Sequence, residues 1–138
     1  MPTTMHIREV QTRVFVSPAQ FHTAVAHYKA LTGGHCSLHF PFSQRGLELA
    51  SVTGSVASFL IIAGAEDKLV PFRATSLTIL VDDIEAVAPT LLRLGGEILQ
   101  PVTPVPTGYQ ARARHPGGLI VEYVQHTAAA DRFRVTDL

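Results

Sequence analysis

The chain repeats itself. With an offset of 63 residues, Phe21 falls on Ile84, Ala24 on Val87, Val25 on Ala88, Tyr28 on Leu91, Leu31 on Leu94 and Gly33 on Gly96. Self-similarity at a fixed offset constrains the fold strongly, because both copies must form the same supersecondary unit. In each copy a strand ending in Val leads into a helix, and about three strands follow. The pattern predicts an α+β fold of tandem βαβββ modules within one domain, 1–138. Module one spans 7–64 and module two 74–125, and a tail covers 126–138.

Residues 7–16 alternate as a strand, with Glu9, Gln11, Arg13 and Phe15 on one face. Ser17, Pro18 and Gln20 then spell a helix start, and Phe21, Ala24, Val25, Tyr28 and Leu31 recur at helical spacing before Gly33 and Gly34 stop it. Strands are expected over 35–42, 46–52 and 56–63, with Pro41 pushing the first of them to an edge. Gly64 to Arg73 reads as a polar connection. In the second copy, 74–81 is a strand with Ser76, Thr78 and Leu80 on one face. Asp82 and Asp83 cap the next helix, and Pro89 is placed to kink it. A short strand is expected over 97–100. PVTPVPTG then reads as a Pro-rich rim or lid.

Tyr109 to Gln125 reads as a β-hairpin around Pro116, Gly117 and Gly118. Ile120, Glu122 and Val124 share one face of its second strand. Glu122 is the one charge in that apolar run, and a carboxylate there must be paired, ligate a metal or face a wet cleft. In the first arm Gln110, Arg112 and Arg114 lie opposite Ala111 and Ala113.

Composition excludes several function classes. Lys plus Arg and Asp plus Glu are 11 each, so no charge excess favours nucleic acid or an acidic membrane surface. No apolar run approaches the ~20 residues of a membrane span, and the N-terminus lacks the order of a signal peptide. A single cysteine, Cys36, excludes an internal disulfide and suits a reducing compartment. These features predict a cytoplasmic protein. No Ser-centred elbow, phosphate loop, dinucleotide fingerprint or zinc-knuckle spacing is present.

The joints VFVSP…AVAHYKALTGG and LTILVDDIEA…LLRLGG, with the hairpin RHPGGLIVEYV, resemble the vicinal oxygen chelate superfamily, the glyoxalase, bleomycin-resistance and dioxygenase group. The resemblance covers roughly residues 7–125. It implies two βαβββ modules whose mixed sheets curl open around a cleft, commonly in a homodimer. Metal-using members set ligands on four strands. Glu122 matches the last of these positions, Gln11 (or Glu9 on the same face) the first, and Ser76 the third, while the remaining one falls within Phe59–Ile61, where no ligand exists. Two positions of four are thus lost, and a catalytic divalent metal needs two or three protein ligands. The expected cofactor is therefore none, with a divalent metal as the alternative.

Glu122 reads two ways, as a cleft base or ligand acceptor, or as a structural partner of Arg112 or Arg114 across the hairpin. Arg112 and Arg114 are candidates for binding an oxygen of a ligand, and Gln110, Thr78 and Ser76 for lining the same surface. Phe15 is a candidate stacking wall. His35 and His39 lie roughly 13 Å apart on a strand, too far to share an ion, although His39 is kept as a ligand-lining candidate. His115 reads as a turn residue, and Tyr123 and Phe59 as core aromatics. On strand parity Cys36 faces away from His39 as a buried thiol. The function expected is binding of a small, partly apolar molecule without a catalytic metal. The alternative is a lyase, isomerase or dioxygenase type enzyme with Glu122 as base or ligand and Arg112 stabilising a developing oxyanion. A dimeric interaction module without chemistry is the third reading.

Overall fold

The computed structural model describes residues 4–135. Contacts group the chain into two units, Gln11–Ala74 with the residues from 132 onward, and Thr75–Asp131 with the residues up to 10. Each unit carries most of one copy of the repeat. Module one comprises β1 (Ile7–Val16), α1 (Phe21–Thr32), β2 (His35–Phe42), β3 (Leu47–Thr53) and β4 (Ser58–Ala63), followed by a short helix α2 (Glu66–Leu69). Module two comprises β5 (Leu77–Val81), α3 (Val87–Arg93), β6 (Glu97–Val105), β7 (Gly108–Arg114) and β8 (Ile120–His126). Within module one the strands run β2-β3-β4-β1, and within module two β6-β7-β8-β5. In both, the first and last strands pair in parallel and the remaining pairs are antiparallel. The α+β class and the βαβββ repeat are therefore observed.

In module one, Pro18 begins a 3-10 turn, Pro18–Gln20, that winds into α1. The Ser17 hydroxyl donates to Gln20 Oε1 at 3.3 Å instead of accepting a backbone amide. Phe21 and Val25 face inward and pack on Cys36, Ala50, Val52, Ile61 and Ala63. Burying side chains of this size contributes roughly 1.5–3 kcal/mol each. Gly33 ends α1 at φ +68°, a conformation that any Cβ makes costly. The other face of the same sheet is also apolar: Leu38, Phe40, Leu47, Leu49, Leu60 and Ile62 pack with Leu69 of α2. Phe133 of the tail, which forms a 3-10 stretch over Ala128–Phe133, packs against this cluster, 5.4 Å from Phe40 between ring centroids.

In module two, Asp83 caps the helix start by accepting the Glu85 amide at 3.1 Å. Gln125 Oε1 accepts the next free amide, that of Ile84, at 2.8 Å. Ile84, Val87 and Leu91 pack on Ile79, Val81, Ala111, Ala113, Val121 and Tyr123. The hairpin turn is built by Gly117 and Gly118, both at positive φ, and is closed by His115 N–H donating to Leu119 C=O at 2.7 Å.

Several expectations change. Leu31 and Leu94, assigned to helix faces, are 64% and 66% exposed; Leu31 lies in the last turn of α1 and Leu94 just past the end of α3. Val56 is 98% exposed, and its strand begins only at Ser58. The stretch Gly64–Arg73 contains α2 and a 3-10 turn, Val70–Phe72, because Leu69 has an apolar cluster to enter. Pro89 stands at the start of α3, not in its interior. It is the third residue of that helix, in a first turn whose amides lack intrahelical partners. PVTPV is no loop or lid but the second half of β6, whose register shifts between Ile98 and Gln100 and again between Gln100 and Thr103. An outer strand tolerates Pro101 and Pro104 because only one side of it must pair. Finally, a register shift between Cys36 and Leu38 inverts strand parity, so Cys36 pairs with Val52 and His39 with Ala50 on the same, helix-covered face. Cys36 is buried, as expected.

Candidate functional site

The repeat allows the two sheets to be compared position by position on the face away from the helix. Phe15 pairs with Ile62, which pairs with Leu49, which pairs with Phe40. The equivalent row in module two is Thr78, Glu122, Arg112 and Gln100. Four apolar side chains in one copy thus stand against a hydroxyl, a carboxylate, a guanidinium and an amide in the other. Gln110, two residues along β7 on the same face, adds a second amide. Thr78 and Gln110 are 3% and 5% exposed, while Glu122, Arg112 and Gln100 are half-buried. Polar groups at this depth require partners.

Glu122 Oε1 accepts a long hydrogen bond from Thr78 Oγ1, 3.4 Å. Arg112 sits directly opposite Glu122 in register, close enough for the pair considered from the sequence. That pair is not formed: among the described residues Arg112 makes no ion pair, and its Nε is buried without a hydrogen-bond partner. Arg114 takes a different route. It is exposed, stands opposite Ile120 and binds Glu97 of β6 at 2.8 Å. Ser76 precedes β5 and is exposed, its amide donating to Ile120 C=O. Gln100 carries no local signal, since the sequence pattern ends its strand there in a Pro-rich stretch; its place opposite Arg112 shows only in the register.

The remaining candidates belong to module one. Gln11 is 2% exposed and donates to Ser51 Oγ at 3.2 Å. Phe15 packs against the Leu38–Ile62 cluster and carries the Arg73 guanidinium 5.4 Å from its ring centroid. The open stacking wall expected of it is already occupied within its own module. Arg73 is held there by Glu66, whose carboxylate takes two of its N–H groups at 3.0 and 2.8 Å. His39 lies on the opposite, helix-covered face, stacked on Phe21 at 5.3 Å and bonded to Glu48 Oε2 at 2.7 Å. It therefore shares no surface with Gln11 or Phe15. His115 bonds the Tyr123 hydroxyl at 2.7 Å, and burial pushes the Tyr123 phenol above its ordinary pKa.

In the row of Thr78, Glu122, Arg112 and Gln100, Glu122 is the one carboxylate that could hold a metal. Glu122 has a hydroxyl and a guanidinium as its in-register neighbours, and a cation opposite a carboxylate opposes metal binding there. Among the described residues no three His, Cys, Asp or Glu side chains are grouped as an ion requires.

Neither a protein-family model nor a curated protein matches this sequence. Solved structures do. An uncharacterized protein from Methanosarcina mazei is 34% identical, with a TM-score of 0.75, over 88% of this chain and 94% of that one. The two belong to one family. Methylmalonyl-CoA epimerase from Mycobacterium tuberculosis matches at a TM-score of 0.63 and 17% identity, over 92% and 93% of the two chains. A Streptomyces coelicolor methylmalonyl-CoA epimerase variant in complex with 2-nitronate-propionyl-CoA matches at 0.64 and 16%, over 91% and 99%. At such identities the likeness is one of fold. This family therefore shares the fold of methylmalonyl-CoA epimerase. No helix among its described residues is long and apolar enough to cross a membrane.

Proposed function

We propose that this protein binds a small, oxygen-bearing and partly apolar molecule on the polar sheet face of module two, without a resident catalytic metal. The observation that carries the reading is the buried, unpartnered Nε of Arg112 opposite Glu122. A buried N–H without an acceptor costs about 1–3 kcal/mol, and a ligand carbonyl or carboxylate oxygen removes that cost once the guanidinium turns to meet it. Glu122, Thr78, Gln110 and Gln100 then order the rest of the ligand. On this reading the protein acts as the binding and resistance members of the superfamily do, and we expect it to work in the cytoplasm as a homodimer.

A second reading is favoured by the juxtaposition of Glu122 and Arg112 and by the epimerase fold. Glu122 would take a proton from the carbon α to a ligand carbonyl and return it, while Arg112 donates to the oxygen that gains charge. The substitution Glu122→Gln separates the two. Retained ligand affinity with loss of exchange of the α-hydrogen for deuterium supports the enzyme, while retained affinity with no exchange in either protein supports the binder. Unchanged ligand affinity in Arg112→Ala would overturn both.

A further inference from the structure

The helix-covered side of module two contains a cleft of about 330 Å³, lined by Ile84, Glu85, Ala88, Ile98, Val102 and Ala111 together with Pro101. It lies on the opposite side of the sheet from Arg112 and Glu122. Its origin is visible in the repeat. Ile84 and Ala88 stand where module one has Phe21 and Val25, and Glu85 stands where it has His22. Through the strand registers, Ile98 takes the place of His39 and Ala111 that of Glu48. In module one those residues fill the space: the Phe21 ring stacks on His39 at 5.3 Å with 30° between planes, His22 meets its edge at 5.2 Å, and Glu48 bonds His39. Module two has smaller side chains at these places, and the register shifts of β6 fall beside Pro101 and Val102. The cleft is the space left over.

We propose that this cleft is a second binding site, for a small planar aromatic molecule bearing a cationic nitrogen. Module one shows what the space accepts, since there it holds a phenyl ring packed with imidazoles. The volume matches small-molecule sites, and the walls are apolar apart from Glu85. Among the described residues Glu85 forms no ion pair, so its carboxylate is available to a ligand cation. A ring between Ile84, Ile98 and Ala111 sets its substituent toward that carboxylate. The site is independent of the Glu122 surface.

Benzylamine, benzyl alcohol and benzoate are the probes, titrated into the full chain and followed by NMR shifts of α3 and β6. Saturable shifts are expected with benzylamine, weaker ones with benzyl alcohol and none with benzoate. Glu85→Gln should weaken benzylamine about fivefold, roughly the contribution of one exposed charge pair, and leave benzyl alcohol within about twofold. Ile84→Phe with Ala88→Val restores the module-one residues and should abolish binding of both while raising Tm; Ala88→Leu alone serves if that double variant does not fold. Absence of saturable shifts with benzylamine, or shifts that survive in a folded, filled variant, would overturn the proposal. Equal affinity for benzylamine and benzoate would overturn its cationic part.

Discussion

At the scale of single residues, what distinguishes the candidate site is not the presence of charges but how they are satisfied. Arg114 and Glu97 meet in solvent, where an ion pair contributes at most about 1 kcal/mol. Arg112, two residues away, has a buried Nε with nothing to bind, and that difference is what supports its proposed role toward a ligand. His6 and Asp82 illustrate a charge whose role is structural. The Asp82 carboxylate accepts the His6 amide at 2.8 Å and faces its Nδ1 at 3.0 Å. Chiefly through that backbone bond, its pKa lies below the ordinary 3.8. A depressed carboxylate stabilises the fold above its unfolded pKa, and the contribution is lost as pH falls through the lower folded value. Asp82→Asn should therefore lower stability relative to wild type at about pH 5, and the gap should narrow by about pH 3. Urea titrations at both values test this, and a gap that widens in acid would contradict it.

At the scale of elements, the helices carry unequal loads along their length. Val25, on the inward face of α1, is 2% exposed, so Val25→Ala should cost about 2 kcal/mol in a denaturant titration. Leu31 keeps the same helical period but is 64% exposed in the last turn of α1, so Leu31→Ala should stay within about 0.5 kcal/mol. Periodicity alone treats the two alike. β6 teaches the reverse lesson: two prolines argued against a strand, yet an outer strand needs hydrogen bonds on one side only. There Pro101 and Pro104 deny an incoming chain its template. Pro101→Thr with Pro104→Thr should leave Tm nearly unchanged but raise light scattering on concentration. A variant that loses stability and stays dispersed would refute that role.

At the scale of the whole molecule, one duplicated unit has diverged in opposite ways. Module one has filled both faces of its sheet, with α1 on one side and with Leu69, Phe72 and Phe133 on the other. Module two has kept a polar row on one face and a cleft on the other. The proposed homodimer would sediment at twice the 14.9 kDa chain mass at micromolar concentration, and a single monomeric boundary would exclude it. Much of this was legible beforehand. The 63-residue offset determined the topology, because two copies with the same helix face and the same glycine stop can only build the same unit twice. Alternation within β7 and β8 put Glu122 and Arg112 on one face, since side-chain direction in a strand follows from parity. What the sequence could not settle were features that depend on neighbours distant in the chain. The bulge that turns His39 toward Phe21, the pairing of Arg114 with Glu97 instead of Glu122, the burial of Arg112 Nε and the strand hidden in PVTPV all follow from register and packing. Local pattern determines which face a side chain takes, and only the tertiary structure decides what it meets there.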